Sequence, residues 1–205
     1  MFRLSRPILL TQKGNVCVTD LTLTAAATLG GYARDFDGTS LTEVTPLAIV
    51  AAALPLGGEN AANAAIKAAY GTRPTATKSS LSKNGKTRLI QVAADQVFVV
   101  FASDTNQAEP MVNQALNGTC YTTDQTDVWV ALEINGGHAR AALARICQID
   151  LHPDTFPLHA AARSTMEHMG AMVIRTGKDQ FLLMSASSSA KTFLHALETS
   201  LKNVT

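Results

Sequence analysis

DVWVALEINGGHARAALARICQIDLHP, residues 127–153, contains the unit from which the rest of the chain can be read. Val128, Val130, Leu132 and Ile134 alternate with Trp129, Ala131 and Glu133, the two-residue period of a half-buried strand. Asn135-Gly136-Gly137 breaks the alternation, because glycine takes the positive φ angles of a sharp turn at little steric cost. Ala139, Ala142, Leu143 and Ile146 then recur at helical spacing, with Arg140 and Arg145 on the other side. The helix stops before Asp150 and Pro153. The ending, CQIDLHP, brings no evident chemistry of its own.

Outward from this unit the same order recurs. Downstream, strands are expected at 163–168 and 171–175, and a strand at 180–184 pairs across the Gly177-Lys178-Asp179 turn. Ser187-Ser188-Ser189 reads as the cap of a last helix whose apolar face is Ala190, Phe193, Leu194, Leu197 and Leu201. Upstream, an apolar run at 47–54 reads as a strand. A helix over 59–70 follows, with Ala62, Ala65, Ile66 and Ala69 on one face and Gly71 at its C′ position. After the polar loop 72–85, strands at 87–92 and 96–101 form a hairpin around Ala94-Asp95. Ala108, Met111, Val112, Ala115 and Leu116 mark another helix, ended by Asn117-Gly118, and 120–123 reads as a short strand.

The letters repeat as well: ADQVFVVFAS at 94–103 parallels KDQFLLMSAS at 178–187. Two copies of a β-α-β-β-α unit account for this. The expected fold is α+β, two ferredoxin-like (split βαβ) repeats packed together, with antiparallel or mixed sheets and the helices on one face. Two sheets and one shared sheet are both compatible with the pattern. The expected organisation is a domain over 44–205 made of two similar halves, 44–123 and 127–201. Residues 1–43 read as an N-terminal extension or partner-contacting arm, with a short strand at 16–23 and turns at Gly30-Gly31 and 35–38.

Composition narrows the function. At 205 residues the chain can bury a sizeable core. Lys+Arg 17 against Asp+Glu 16 leaves a net charge of +1, so neither nucleic acid nor a membrane surface is favoured as partner. Charged residues make up 16%, against about a quarter in ordinary soluble proteins. Such a surface suits burial in an assembly; an alanine-rich proteome gives the same number. The longest apolar run, 47–56, contains Pro55 and is too short for a bilayer, and the first ten residues lack the apolar stretch of a signal peptide. Cys17, Cys120 and Cys147 are scattered, which suits free thiols in a reducing cytoplasm.

No residue set converges on a reaction. His152 and His159 flank Asp154 without a third ligand at metal spacing. Glu167 and His168, read in a strand, point to opposite faces. His195 lies on the last helix, exposed or at an interface. Cys147 sits at a helix C-terminus, the wrong end for a reactive thiolate. Asn135-Gly136-Gly137-His138 could offer N–H groups to an anion, but neither GxGxxG nor GxxxxGK[ST] occurs. Ser188 and Lys191 fit an SxxK spacing without its companion motifs. The expected catalytic, cofactor-binding and metal residues are therefore none. A subunit or binding module fits best, the alternative being an enzyme with a site of scattered residues.

Leu143, Cys147, Asp150, Leu151, Pro153, Ala162, Arg163, Phe181 and Leu183 carry a resemblance over about 41–201 to the gamma subunit family of heterotetrameric sarcosine oxidase. The stretches LTEVTPLAIVAAALPLGGENAANAAIKAAYG and ADQVFVVF are similar to that family in layout. The resemblance implies a structural subunit without a cofactor of its own. The complex it implies oxidises sarcosine to glycine, giving hydrogen peroxide and a one-carbon unit for tetrahydrofolate. FAD, FMN and NAD would lie in the alpha and beta subunits and zinc in the delta subunit, with alpha the main partner. The family looks like a shortened relative of the folate-binding domain of glycine-cleavage T-protein. The alternatives are the equivalent subunit of a complex acting on another N-methyl amino acid, or a stand-alone folate-binding or aminomethyl-transferring protein; Asp150 is the nearest candidate for the acid of the latter, although helix exit accounts for that residue better.

Overall fold

A computed structural model of the chain describes residues 26–205. Eleven strands among these residues form two sheets, and every pairing between strands is antiparallel. The first sheet contains β3 (Ala48–Ala53), β4 (Ser80–Leu81), β5 (Thr87–Ala93), β6 (Gln96–Phe101) and β7 (Tyr121–Asp124), in the order β4-β5-β6-β3-β7. The second contains β1 (Ala33–Phe36), β2 (Thr39–Glu43), β8 (Trp129–Asn135), β9 (Ala161–Met166), β10 (Met169–Arg175) and β11 (Gln180–Ala186), in the order β1-β2-β8-β11-β10-β9. The helices are α1 (Glu59–Tyr70), α2 (Ala108–Ala115), α3 (Ala139–Ile146) and α4 (Ala190–Lys202).

The two sheets share one strand order, with β1 an additional edge strand of the second. Each half runs β-α-β-β-β-α, and β3, β5 and β6 hold the positions that β8, β10 and β11 hold in the other sheet. The expected ferredoxin-like repeat is therefore present in both. The alternative of one shared sheet is excluded. Alternation along the strands divides the core into three layers. In β3, Ala48, Val50 and Ala52 face α1 and α2, whereas Ile49 and Ala51 face the other sheet. In β11, Phe181 and Leu183 face α3 and α4, whereas Leu182 and Met184 meet Ile49, Phe98 and Val100 between the sheets. The order of layers is helices, sheet, sheet, helices.

This corrects the reading of β8 as half-buried. Ala131 on its supposed outer face is 4% exposed in the inter-sheet layer, and Trp129 packs edge-on against Phe98 with ring centroids 5.6 Å apart. It also explains the apolar runs FVVF and FLLM, since strands covered on both faces lose polar alternation.

The larger correction concerns the arm. Residues 33–43 belong to the second sheet: Leu41 opposes Ile134 and is fully buried, and Phe36 is in the same core. Asp37 and Gly38, at φ 48° and 79°, form the two-residue loop of the β1–β2 hairpin. Beside β8, β2 takes the place that β7 takes beside β3. The strand expected at 16–23 lies outside the described residues. Glu167 and His168, expected in a strand, are instead the positive-φ loop of the β9–β10 hairpin, at 44° and 70°.

The helices follow their sequence signals. Gly71 is left-handed at φ 74°, and its N–H donates to the Lys67 carbonyl, closing α1. Ala62 and Ile66 are buried as expected, but Ala69 is exposed because the buried stripe continues to Tyr70. The serine run before α4 makes no side-chain cap; Ser187 donates instead to the carbonyl of Asp127. Along α4, Ser200 donates to the Ala142 carbonyl on α3, pinning the two helices of that layer.

Candidate functional site

The Asn135-Gly136-Gly137-His138 turn is filled by protein. The Thr39 hydroxyl accepts the His138 N–H at 3.1 Å, and the Gly136 N–H donates to the Asp179 carbonyl. Gly136 sits at φ 143°, and a Cβ there would lie 2.6 Å from the Gly38 carbonyl oxygen and from the Thr39 Cα. Glycine is needed because the β1–β2 loop is pressed against the turn. His138 and Asp37 approach to 3.9 Å across this contact. The turn is a docking point for the hairpin rather than an anion cradle.

The CQIDLHP loop is a turn with its own internal bonds. The Asp150 carboxylate accepts the His152 N–H at 2.9 Å. That bond and one from the Thr155 hydroxyl hold its pKa below the usual carboxylate value. This is the helix-exit role, and Asp150 is exposed. His152 and Asp154 pair at 3.6 Å in the open, while the His159 N–H donates to the Arg175 carbonyl. Among the described residues no three His, Cys, Asp or Glu side chains are grouped to hold a metal. Beneath the loop, Arg175 is 7% exposed and donates to the carbonyls of Gly177, Phe156, Lys178 and Pro153. It ties the loop to the β10–β11 turn.

The remaining candidates stay separate. His195, Ser188 and Lys191 are exposed. Cys120 and Cys147 are buried free thiols, and burial raises the Cys120 pKa; Cys17 lies outside the described residues. A cleft of about 410 Å³ opens where the halves join, between the β2–β3 link, the loop after β6 and the start of β8. Trp129 lines it with an indole N–H that is sheltered and unpartnered among the described residues. The Glu43 carboxylate, also at this cleft, is engaged by the N–H groups of Leu29 and Gly31 at 2.8 Å each. A second cavity of about 370 Å³, lined by Ile90, Val92, Ala161, Met172 and Ile174, lies at the open margin of the inter-sheet layer.

One cluster was invisible in the sequence. Lys78 and Ser79 precede β4, Arg88 is on β5, and His159 precedes β9. Backbone bonds from Ser79 N–H to the His159 carbonyl and from Ala161 N–H to the Thr77 carbonyl bring them together across the two halves. The Arg88 guanidinium donates to the Ser79 hydroxyl at 3.0 Å, and that hydroxyl donates to the His159 carbonyl at 3.1 Å. Burial, then the charges of Arg88 and Lys78, hold the His159 pKa below its usual value. These residues are separated by up to about eighty positions, so no local spacing announces them.

Residues 57–201 match the sarcosine oxidase, gamma subunit family. The chain belongs to that family. No curated protein sequence matches it. Among solved structures it is similar to a chain of the heterotetrameric sarcosine oxidase from Corynebacterium sp. U-96 in complex with pyrrole 2-carboxylate. That likeness has 19% identity and a TM-score of 0.69, over 83% of this chain and 87% of the other. It is also similar to the glycine cleavage system aminomethyltransferase T from Bartonella henselae, with 16% identity and a TM-score of 0.56 over 78% of this chain. The chain spans only 45% of that aminomethyltransferase chain. At these identities the likeness shows a shared fold. The gamma-family match begins after β3, so the β1–β2 hairpin that completes the second sheet lies outside it. Among the described residues no helix is long and apolar enough to cross a membrane.

Proposed function

We propose that this chain is a non-catalytic structural subunit of a heterotetrameric complex of the sarcosine oxidase type, packed chiefly on the alpha subunit. Membership of the gamma subunit family carries the reading. The extent of the likeness supports it: the match covers 83% of this chain and 87% of the Corynebacterium sarcosine oxidase chain. The complex would oxidatively demethylate sarcosine to glycine, with hydrogen peroxide and formaldehyde or methylene-tetrahydrofolate as the other products. FAD, FMN, NAD, zinc and tetrahydrofolate would be held by the partner subunits, in the cytoplasm. The low charge of the outer face of α1, where Ala61, Ala64 and Ala68 are exposed and Lys67 is the cation, suits a surface that docks on protein.

The test is purification of the tagged chain from its native source, with an absorption spectrum and a peroxide assay on the eluate. Flavin-absorbing partners and sarcosine-dependent peroxide are expected. A colourless protein that elutes alone and gives no peroxide refutes the proposal.

A further inference from the structure

Buried guanidinium groups need partners, because removing the charge from water is costly unless its donors are engaged. Arg175 shows how this fold meets that need without an anion, by aiming the group at four backbone carbonyls. Arg88 is treated differently. It shares the inter-sheet face of β5 with Ile90 and stands opposite the buried Val100 of β6. Its surroundings withdraw it from water enough to lower its pKa. Yet among the described residues its five donors meet a single acceptor, the Ser79 hydroxyl. None of the ion pairs among the described residues includes Lys78, Arg88 or His159. His159 sits in the left-handed region at φ 69°, and its Nδ1 is sheltered from solvent without a partner among the described residues. A lysine, a half-buried arginine and an imidazole thus converge on one place with no carboxylate among them.

The geometry points to an oxyanion site at Lys78, Arg88 and His159, built across the seam where the segment leading into β4 pairs with the segment leading into β9. The ligand is a compact oxyanion, either a free phosphate-type ion or a carboxylate group. Arg88 supplies a forked pair of donors, Lys78 a point charge at the solvent side, and His159 a ring donor once protonated. The site is independent of the subunit reading. It needs only the contact between the two halves, and it would hold in the isolated chain.

The experiment is a nuclear magnetic resonance titration of the full chain with sodium phosphate, sulfate and acetate, against sodium chloride at matched ionic strength. The reporter is the imidazole resonance that disappears in His159→Gln. A saturable shift with phosphate and sulfate alone means a tetrahedral oxyanion; an equal response to acetate means a carboxylate group. Both support the site. Arg88→Gln, which keeps a donor for Ser79, is expected to weaken binding by about tenfold or more. Lys78→Gln, at an exposed position, is expected to weaken it several-fold without disturbing the fold. A response no larger than that to chloride, or an affinity unchanged in both variants, overturns the inference.

Discussion

Leu41→Ala measures whether the β1–β2 hairpin is part of the fold. Leu41 is fully buried, opposes Ile134 on β8 and lies in the core cluster that includes Leu132, Phe181 and Phe193. Truncating a leucine so enclosed removes its transfer free energy and leaves a cavity that relaxes only in part, about 2–5 kcal/mol in all. A value of about 3 kcal/mol corresponds to a fall in midpoint of roughly 6–12 °C for a chain of this size. Equilibrium urea unfolding gives the free energy and thermal unfolding the midpoint. Thr42→Ala, one residue along and partly exposed, is the control and should cost about 1 kcal/mol or less. If residues 33–43 were an arm lying loosely on the surface, the two substitutions would cost the same. A Leu41→Ala loss no greater than that of Thr42→Ala refutes the placement of β2 in the sheet.

Three further outcomes are expected. Gly136→Ala should destabilise by about 3 kcal/mol through backbone strain and collision with Gly38 and Thr39, whereas Gly137→Ala, with open space around its Cβ, should stay within about 0.5 kcal/mol; urea unfolding compares them. Tyr32 donates to Glu198, which also pairs with Arg34 and Lys202. The bond from Tyr32 is the main cause that lowers the Glu198 pKa, and burial followed by that same bond pushes Tyr32 up to about 12. The lowered carboxyl gives stability that is present above its unfolded pKa and lost as pH falls through the folded one. The raised phenol gives stability that is present below its unfolded pKa and lost as pH rises toward about 12. Tyr32→Phe should therefore cost about 1 kcal/mol at neutral pH and flatten both flanks of the stability profile, measured by urea unfolding across pH. Finally, Ala64→Arg and Lys67→Glu on the outer face of α1 should weaken co-purification of the flavin-containing partners while leaving the isolated chain's unfolding curve in place. Unimpaired assembly in both would remove that face from the interface.

Features fixed by neighbouring residues were legible in the sequence. α1 and its left-handed Gly71, the Ala94-Asp95 hairpin and the apolar face of α4 all follow from local spacing. What failed depended on distant chain. The hairpin at Asp37-Gly38 carried its turn signal, but its strands ARDF and TSLTE bury few side chains and show no strong alternation until β8 lies beside them. Glu167-His168 lacks the glycine or asparagine that marks such loops, so the adjacent strand pattern ran through it. Ser187 looked like a helix cap and instead binds a carbonyl on the segment between the halves, a partner no window of sequence contains. The same distance hid the site: Lys78, Arg88 and His159 meet only because the two halves pair at their margin.

The placement of β2 makes the second sheet discontinuous in sequence: its first strands precede the whole first half, and its remainder follows it. The first half is thus enclosed between two parts of its counterpart, and no single cut of the chain yields two complete sheets. During synthesis the β1–β2 hairpin leaves the ribosome well before β8, and must wait unpaired for it, a long-range closure that slows folding. Tyr32 and Arg34 also meet Glu198 near the end of α4, so the start of the hairpin and the close of the last helix are neighbours. A permuted chain that began at β3 and carried the hairpin after α4 would restore two contiguous repeats, and the interlock would become an ordinary tandem.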